Sequence, residues 1–407
     1  MSTKTLYQNP TMAEISLSTQ EKLAENPSKQ QKLYIGVPKE SSFQESRVPL
    51  TPESVLVLTN NGHRVVVESE AGLEANFSDH QYSEAGAEIT SDTQRVFRAD
   101  TIVKIAPPTL AELDMMKSHQ TIFSPLHLPT LSIEYFQKLI SKKITALAYE
   151  YIKDEDGNFP MVRAVSEIAG SVSILIAAEY LSNTREGQGV LLGGVAGVPP
   201  TKVVILGGGV VGEFATRTAL GLGAEVRVFD NNVYKLMRLR NNVNVMVYTS
   251  VLNPETLQKE LCEADVVIGA IHSESGRTPC VVSEEMVSRM KAGSVIIDIS
   301  IDQGGCFATS KVTNHTHPTF KKYDVIHYCV PNIASRVAKT ASSAVSHVLT
   351  PILLRAHKFG GLDKFLMQST GTRNGVYIYK GCLTNQHISH RFNLKYTDID
   401  LLMTASS

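Results

Sequence analysis

The chain carries almost no net charge. Its 39 lysines and arginines nearly cancel 40 aspartates and glutamates, leaving −1 over 407 residues. That balance gives nucleic acid or an anionic membrane no electrostatic hold, so neither is expected as a partner. Long apolar runs are missing too: none reaches the roughly 18–20 residues that cross a bilayer. Residues 1–31 are polar, mixed in charge and without an apolar h-region. They exclude a secretory signal and read as a polar N-terminal extension, partly helical around residues 12–25. Cysteine is scarce and scattered: Cys262, Cys280, Cys306, Cys329 and Cys382 are odd in number and form no CxxC pair. This argues against disulfides and a zinc site and fits a reducing cytoplasm. Nothing beside Cys306 marks it as an activated nucleophile. Internal repeats and low-complexity tracts are also absent.

What is present is a globular composition, 43% apolar and 19% charged, in a chain longer than one ordinary domain. "LYIGVPKE" (33–40), the end of "SVLVLTNNGHRVVVES" (54–69), "ADTIVKIAP" (99–107) and "ITALAYEYI" (144–152) read as strands separated by helical stretches. "EIAGSVSILIAAEYLS" (167–182) is an apolar helix long enough to bridge two domains, followed by a Gly/Pro-rich segment, 187–202. A second strand series then runs through 202–206, 225–230, 265–270, 294–302 and 324–330, before a long helical stretch at 335–360. Near-continuous apolar strands alternating with helices predict an α/β fold with mainly parallel sheets.

"KVVILGGGVVGEFATRTALGLGAEVRVFD" contains Gly207-x-Gly209-x-x-Gly212. A bare GxGxxG is weak, but this one follows a β-branched strand, opens a helix, and precedes a second strand ending in Asp230. That context is the dinucleotide fingerprint. The glycines allow a tight turn and bring backbone N–H groups to a pyrophosphate at the positive helix end. Asp230 would accept hydrogen bonds from the ribose hydroxyls and repel a 2′-phosphate, and Asn231-Asn232 supplies no compensating cation. NAD is therefore expected over NADP.

Three polar residues follow apolar runs. "DISIDQGGCF" (298–307) reads as a late strand ending in Asp302, whose carboxylate either caps a turn or faces a ligand. "QTIFSPLHLP" (120–129) puts His127 between prolines, and "ESRVPLTP" (45–52) holds Arg47 before Pro49. Singly, such a histidine is usually structural and such an arginine solvated. As a set they make chemical sense: Arg for a carboxylate, His for proton transfer, Asp for a developing cation.

These stretches, with "SEIAGS", "GVLLGGVAGV", "VFDNN" and "YCVPNIAS", resemble in order and spacing the alanine dehydrogenase family, which includes the nucleotide-binding subunit of proton-translocating transhydrogenase. The resemblance runs from about residue 33 to about 390. It implies two Rossmann-like domains, an NAD domain (161–338) inserted into a substrate domain split between 32–160 and 339–407. It assigns Arg47 to the substrate carboxylate, His127 to acid/base work and Asp302 to catalysis. NAD contacts are implied at Ser166, Val210, Val211, Asp230, Lys235, Ser250, Ile271, His272, Ile299, Ser300, Ile301, Asp302, Lys311, Val330, Pro331, Asn332 and Ile333. The implied reaction is reversible oxidative deamination of L-alanine to pyruvate and ammonium, in a homo-hexamer. Alternatives are a transhydrogenase-type hydride-transfer subunit and a non-catalytic NAD-binding homologue.

The chain departs from the family in four places. A second substrate-binding lysine is Ala106 here, which leaves Lys104, read as lying on the same strand face, or Arg336 to supply the missing charge. An arginine that contacts NAD is Lys311. Arg336 itself replaces a small residue. A magnesium pair falls on Arg355 and Phe359, which cannot bind a metal, so none is expected.

Overall fold

The computed structural model describes residues 32–273 and 277–404; the extension expected at residues 1–31 lies outside them. Among the described residues the strands form an eight-stranded and a seven-stranded sheet. In chain order, the first takes β1 (Tyr34–Val37), β2 (Arg64–Glu68), β3 (Glu88–Thr90), β4 (Thr101–Val103), β5 (Thr121–Ser124) and β6 (Thr145–Ala148). The second takes β7 (Lys202–Leu206), β8 (Glu225–Phe229), β9 (Tyr248–Ser250), β10 (Val266–Gly269), β11 (Val295–Asp298), β12 (Thr319–Lys322) and β13 (Val325–Tyr328). The chain then returns to the first with β14 (Val376–Tyr379) and β15 (Cys382–Leu383). The first sheet is therefore built from both ends of the described chain, and the second from its middle.

The spatial orders are β3-β2-β1-β4-β5-β6-β14-β15 and β9-β8-β7-β10-β11-β13-β12. Both run 3-2-1-4-5-6 through their parallel part, the doubly wound order, with antiparallel pairs only where β12, β14 or β15 takes part. Central strands such as "VIID" of β11 and "VVIG" of β10 are buried on both faces, as continuous apolar runs require. The expected fold class is thus the one observed.

Helix α1 (Pro160–Tyr180) and helix α3 (Ala338–Lys358) carry the chain between the sheets and touch each other. Proline at its first position lets α1 start earlier than residue 167, because that N–H has no helical partner to lose. By length and composition α1 could cross a bilayer, which the reading of apolar runs did not foresee. It packs here against helix α2 (Val210–Gly221), α3 and β11.

Two strands end sooner than their apolar patterns predict. The run 294–302 stops being strand at Asp298 and turns into a 3-10 segment, Ile299–Gln303. The run 99–107 stops at Val103, so Lys104 and Ala106 lie in the bend beyond it and share no strand face.

Candidate active site

Register fixes where the candidate residues emerge. Leu206, Phe229 and Ser250 are level across β7, β8 and β9, and Leu206, Gly269 and Asp298 are level across β7, β10 and β11. The next residues, Gly207, Asp230, Ala270 and Ile299, therefore leave the second sheet along one carboxyl edge. In the first sheet Val103, Phe123 and Leu147 are level, which places Lys104, Leu126–His127 and Tyr149–Glu150 just past its carboxyl edge. Ligands of open α/β sheets bind at these edges. Here the two edges meet across a cleft, spanned by hydrogen bonds from Asn332 to the Phe43 carbonyl and from Ser46 N–H to Ser335.

The glycine loop fits a dinucleotide. A Cβ on Gly212 would come within 1.8 Å of the Gly207 carbonyl, so helix α2 packs this close to the turn only with glycine there. A Cβ on Gly209, the cap of α2, would meet nothing within 4 Å, which leaves open space before the helix N-terminus. Asp230 sits beside this turn, accepting from the backbone N–H groups of Gly208 (2.7 Å) and Asn232 (2.7 Å). Ser250 lies next to it through its carbonyl, which accepts from Asp230 N–H. Val210 and Val211 form the first turn of α2, and Lys235 the first turn of the helix Val233–Val243. Ile271 and His272 follow β10, and Val330, Pro331, Asn332 and Ile333 follow β13. Ser166 lies on α1 and Lys311 in the exposed stretch after Ser310.

The two aspartates of "DISIDQGGCF" divide the roles that its pattern left open. Asp298 is the cap: its carboxylate accepts from Ser300 N–H (3.1 Å), Cys306 N–H (3.1 Å) and Ser310 Oγ (2.6 Å). Gly305 makes room for it, since a Cβ there would lie 2.5 Å from Asp298 Oδ2. Asp302, one 3-10 turn further on, accepts no hydrogen bond from any described residue. Its side chain is exposed to solvent in the cleft, although the surrounding protein still desolvates the carboxyl group in part. That desolvation pushes its pKa up to about 7, with the Arg47 charge pulling it down and Asp298 pushing it up.

His127 occupies a left-handed conformation, φ 38° and ψ 49°, uncommon for a residue with a Cβ. Pro125 and Pro129 flank it. Its carbonyl accepts from both Thr130 N–H (3.0 Å) and Thr130 Oγ1 (2.9 Å), and the preceding Leu126 N–H donates to Glu150 Oε1 (2.6 Å). Desolvation and the Arg47 charge lower the His127 pKa, so its imidazole is neutral at pH 7.

Glu150, absent from the sequence reading, is the buried anchor of this loop. Its Oε2 has no described partner, and burial pushes its pKa up to about 7. An acid whose folded pKa exceeds its unfolded value binds its proton more tightly when native. The fold therefore loses stability as pH rises from about 4.5 to about 7, and the loss is complete above that. Glu150→Gln keeps an oxygen for Leu126 and removes the charge. It is expected to be more stable than the wild type at pH 8 by up to about 3 kcal/mol, with the advantage gone by pH 4.5. Melting curves at the two pH values check this; equal behaviour at both would mean that Glu150 stays ionised without cost.

Arg47 is buried and lies close enough to His127 and Asp302 to shift both. Its fork is already engaged: Nε and Nη2 each donate to Glu45 at 2.7 Å. Burial disfavours the Glu45 carboxylate, but Arg47 outweighs burial and holds it below the usual range. Only Nη1 of Arg47 is left without a described hydrogen-bond partner. Lys104 does not reach the cleft as expected. It is 1% exposed, with Nζ 3.1 Å from Glu40 and 3.0 Å from Glu112. Burial alone would lower its pKa, but the two carboxylates raise it instead. Arg336 turns the other way and pairs with Glu179 at the end of α1. Neither cation stands in for the lysine missing at Ala106, itself buried at 3% exposure. Glu45 could have been found in the sequence: an acid two residues from a candidate anion-binding arginine is its nearest competitor.

Comparisons with known proteins place the chain in a family. Residues 36–169 match the family model "Alanine dehydrogenase/PNT, N-terminal domain", and residues 173–386 match "Alanine dehydrogenase/PNT, C-terminal domain". The chain is 37% identical to an alanine dehydrogenase of Staphylococcus epidermidis over 369 residues, covering 90% of this chain and 99% of that protein. It is 38% identical to alanine dehydrogenase 2 of Staphylococcus aureus with the same coverage. A solved L-alanine dehydrogenase superposes with a TM-score of 0.83 at 38% identity, over 88% of this chain and 99% of that one. A transhydrogenase from Sinorhizobium meliloti, 23% identical with a TM-score of 0.74 over 87% and 99% of the two chains, shares the fold. With both family models matched in order over most of its length, this chain belongs to the alanine dehydrogenase/PNT family.

Proposed function

We propose that this protein catalyses the reversible NAD-dependent oxidative deamination of L-alanine to pyruvate and ammonium. The observation that carries the reading is the convergence of Arg47, His127 and Asp302 on one cleft, opposite a glycine loop with open space before its helix. Gly207, Gly209, Gly212 and Asp230 would hold the nucleotide, which when bound accepts the hydride from the substrate Cα. Arg47 Nη1 orients the substrate carboxylate. His127, neutral at pH 7, takes the proton from the water that attacks the substrate iminium and returns it to the departing amine. Asp302, ionised above about pH 7, faces the cationic nitrogen and stabilises it.

The weak point of this pocket is charge. Glu45 already neutralises Arg47, and the second cation is absent. We therefore expect a high KM for alanine, which Ala106→Lys lowers roughly tenfold or more. The same observation favours a second reading, hydride exchange between nucleotides without an amino-acid substrate. One experiment separates them: NADH formation with an amino-acid panel, run beside hydride exchange between nucleotides. Turnover of alanine with NAD, little with NADP, and a narrowed preference in Asp230→Ala support the proposal. Exchange without any amino-acid turnover overturns it.

A further inference from the structure

The segment that follows β1 does more than carry Arg47. Phe43 and Gln44 both adopt left-handed backbone, at φ 58° and 51°. Two consecutive bulky residues in that region are held only where the surroundings over-determine them. The surroundings here belong to the nucleotide side of the cleft. Asn332 Nδ2 donates to the Phe43 carbonyl (3.0 Å), Gln44 Nε2 donates to Thr316 Oγ1 (2.6 Å), and the backbone N–H of His315 donates to Gln44 Oε1 (2.8 Å). His315 Nε2 also bonds Asn332 Oδ1 (3.1 Å), so the two amides and residues 315–316 close one hydrogen-bonded ring. Both functional atoms of the Gln44 side chain are used across the cleft. From this clasp the Phe43 ring reaches back to stack on the His127 imidazole, with centroids 6.2 Å apart and planes at 22°. Phe43 remains half exposed, so the ring is not there to fill a core.

We propose that Phe43 and Gln44 are positioning residues for His127: the Gln44 clasp to residues 315–316 and Asn332 holds the Phe43 ring over one face of the imidazole. His127 is then fully arranged only while the two sides of the cleft are clasped. Asn332, next to the strand end where the nucleotide is expected, also lies 3.5 Å from Glu45 through Nδ2. One amide thus touches both the cover of His127 and the partner of Arg47. The effect on turnover rests on the assignment of His127 as the acid/base; the geometry of the clasp does not.

The test therefore has two readouts. Diethyl pyrocarbonate modifies neutral imidazoles, and peptide mass mapping reads its rate at His127 separately from other histidines. In Phe43→Ala and Gln44→Ala that rate should rise severalfold, with unchanged nucleotide affinity and melting point. Phe43→Tyr, which keeps the stacked ring, should label like the wild type. In parallel, kcat for alanine should fall about 10- to 100-fold in the two alanine variants, the range expected when an acid/base group is misplaced, and recover in Phe43→Tyr. Equal labelling of His127 in all four proteins overturns the proposal, as does unchanged kcat in an active Gln44→Ala. If no variant, wild type included, turns over alanine, labelling alone decides the clasp and the loss falls on the proposed reaction.

Discussion

His127→Asn should lower kcat for alanine deamination by about 10²- to 10⁴-fold, the usual contribution of a positioned general acid–base group. Asparagine is the informative replacement because it tolerates the left-handed backbone that His127 adopts. The loop held by Glu150, Thr130 and the two prolines then keeps its shape, and only the titrating imidazole is lost. The imidazole suits the task. Desolvation and Arg47 lower its pKa, leaving it neutral and able to accept a proton at pH 7. The glycine loop and Asp230 lie on the other sheet, so nucleotide affinity should stay at the wild-type value. Steady-state kinetics beside a nucleotide titration makes the comparison. Full kcat in this variant would make His127 a structural residue and leave proton transfer to Asp302.

The parts of this molecule legible in the sequence are those whose physics is local. Buried parallel strands need apolar residues on both faces, so β7, β10 and β13 stand out as runs. The Gly207–Gly212 spacing reports a close packing of turn and helix that no other residue permits. Strand ends were less legible. "SVIIDISID" alternates apolar and polar to its end, yet the strand closes at Asp298 because that carboxylate caps the following turn with three hydrogen bonds. A 3-10 turn of apolar and polar residues keeps much the same pattern as a strand over so few positions. Lys104 shows a different failure. Its spacing from Ala106 suggested a shared face, but Glu40 arrives from 64 positions earlier and Glu112 from a following helix to enclose it. Periodicity carries no information about such long-range partners. Phe43 and Gln44 were invisible for the same reason, since what holds them comes from residues 315 to 332.

Asp302→Asn is expected to abolish most deamination and to change its pH dependence, because the two aspartates of one short segment do separate work. The capping bonds belong to Asp298, so replacing Asp302 should leave the turn, the melting point and nucleotide affinity close to wild type. What disappears is a carboxyl group that faces the cleft. Its pKa lies near 7, so in the wild type the charged form that stabilises a substrate cation accumulates as pH rises through neutrality. Wild-type kcat/KM should therefore climb between about pH 6 and 8. Desolvation and the Arg47 charge lower the His127 pKa, so its own titration lies on the acid side of this rise. In Asp302→Asn the climb should vanish, and the remaining activity should be down by about 10²- to 10³-fold, the range for removing one group aimed at transition-state charge. Arg47 sharpens the reading. Its charge pulls the Asp302 pKa down, so Arg47→Met should move the wild-type rise to higher pH as well as weaken substrate binding. A pH profile of kcat/KM for the three proteins separates these effects. An Asp302→Asn enzyme that keeps both its rate and its rise through neutrality would assign that titration to another group, such as Glu150, whose pKa is also pushed up to about 7.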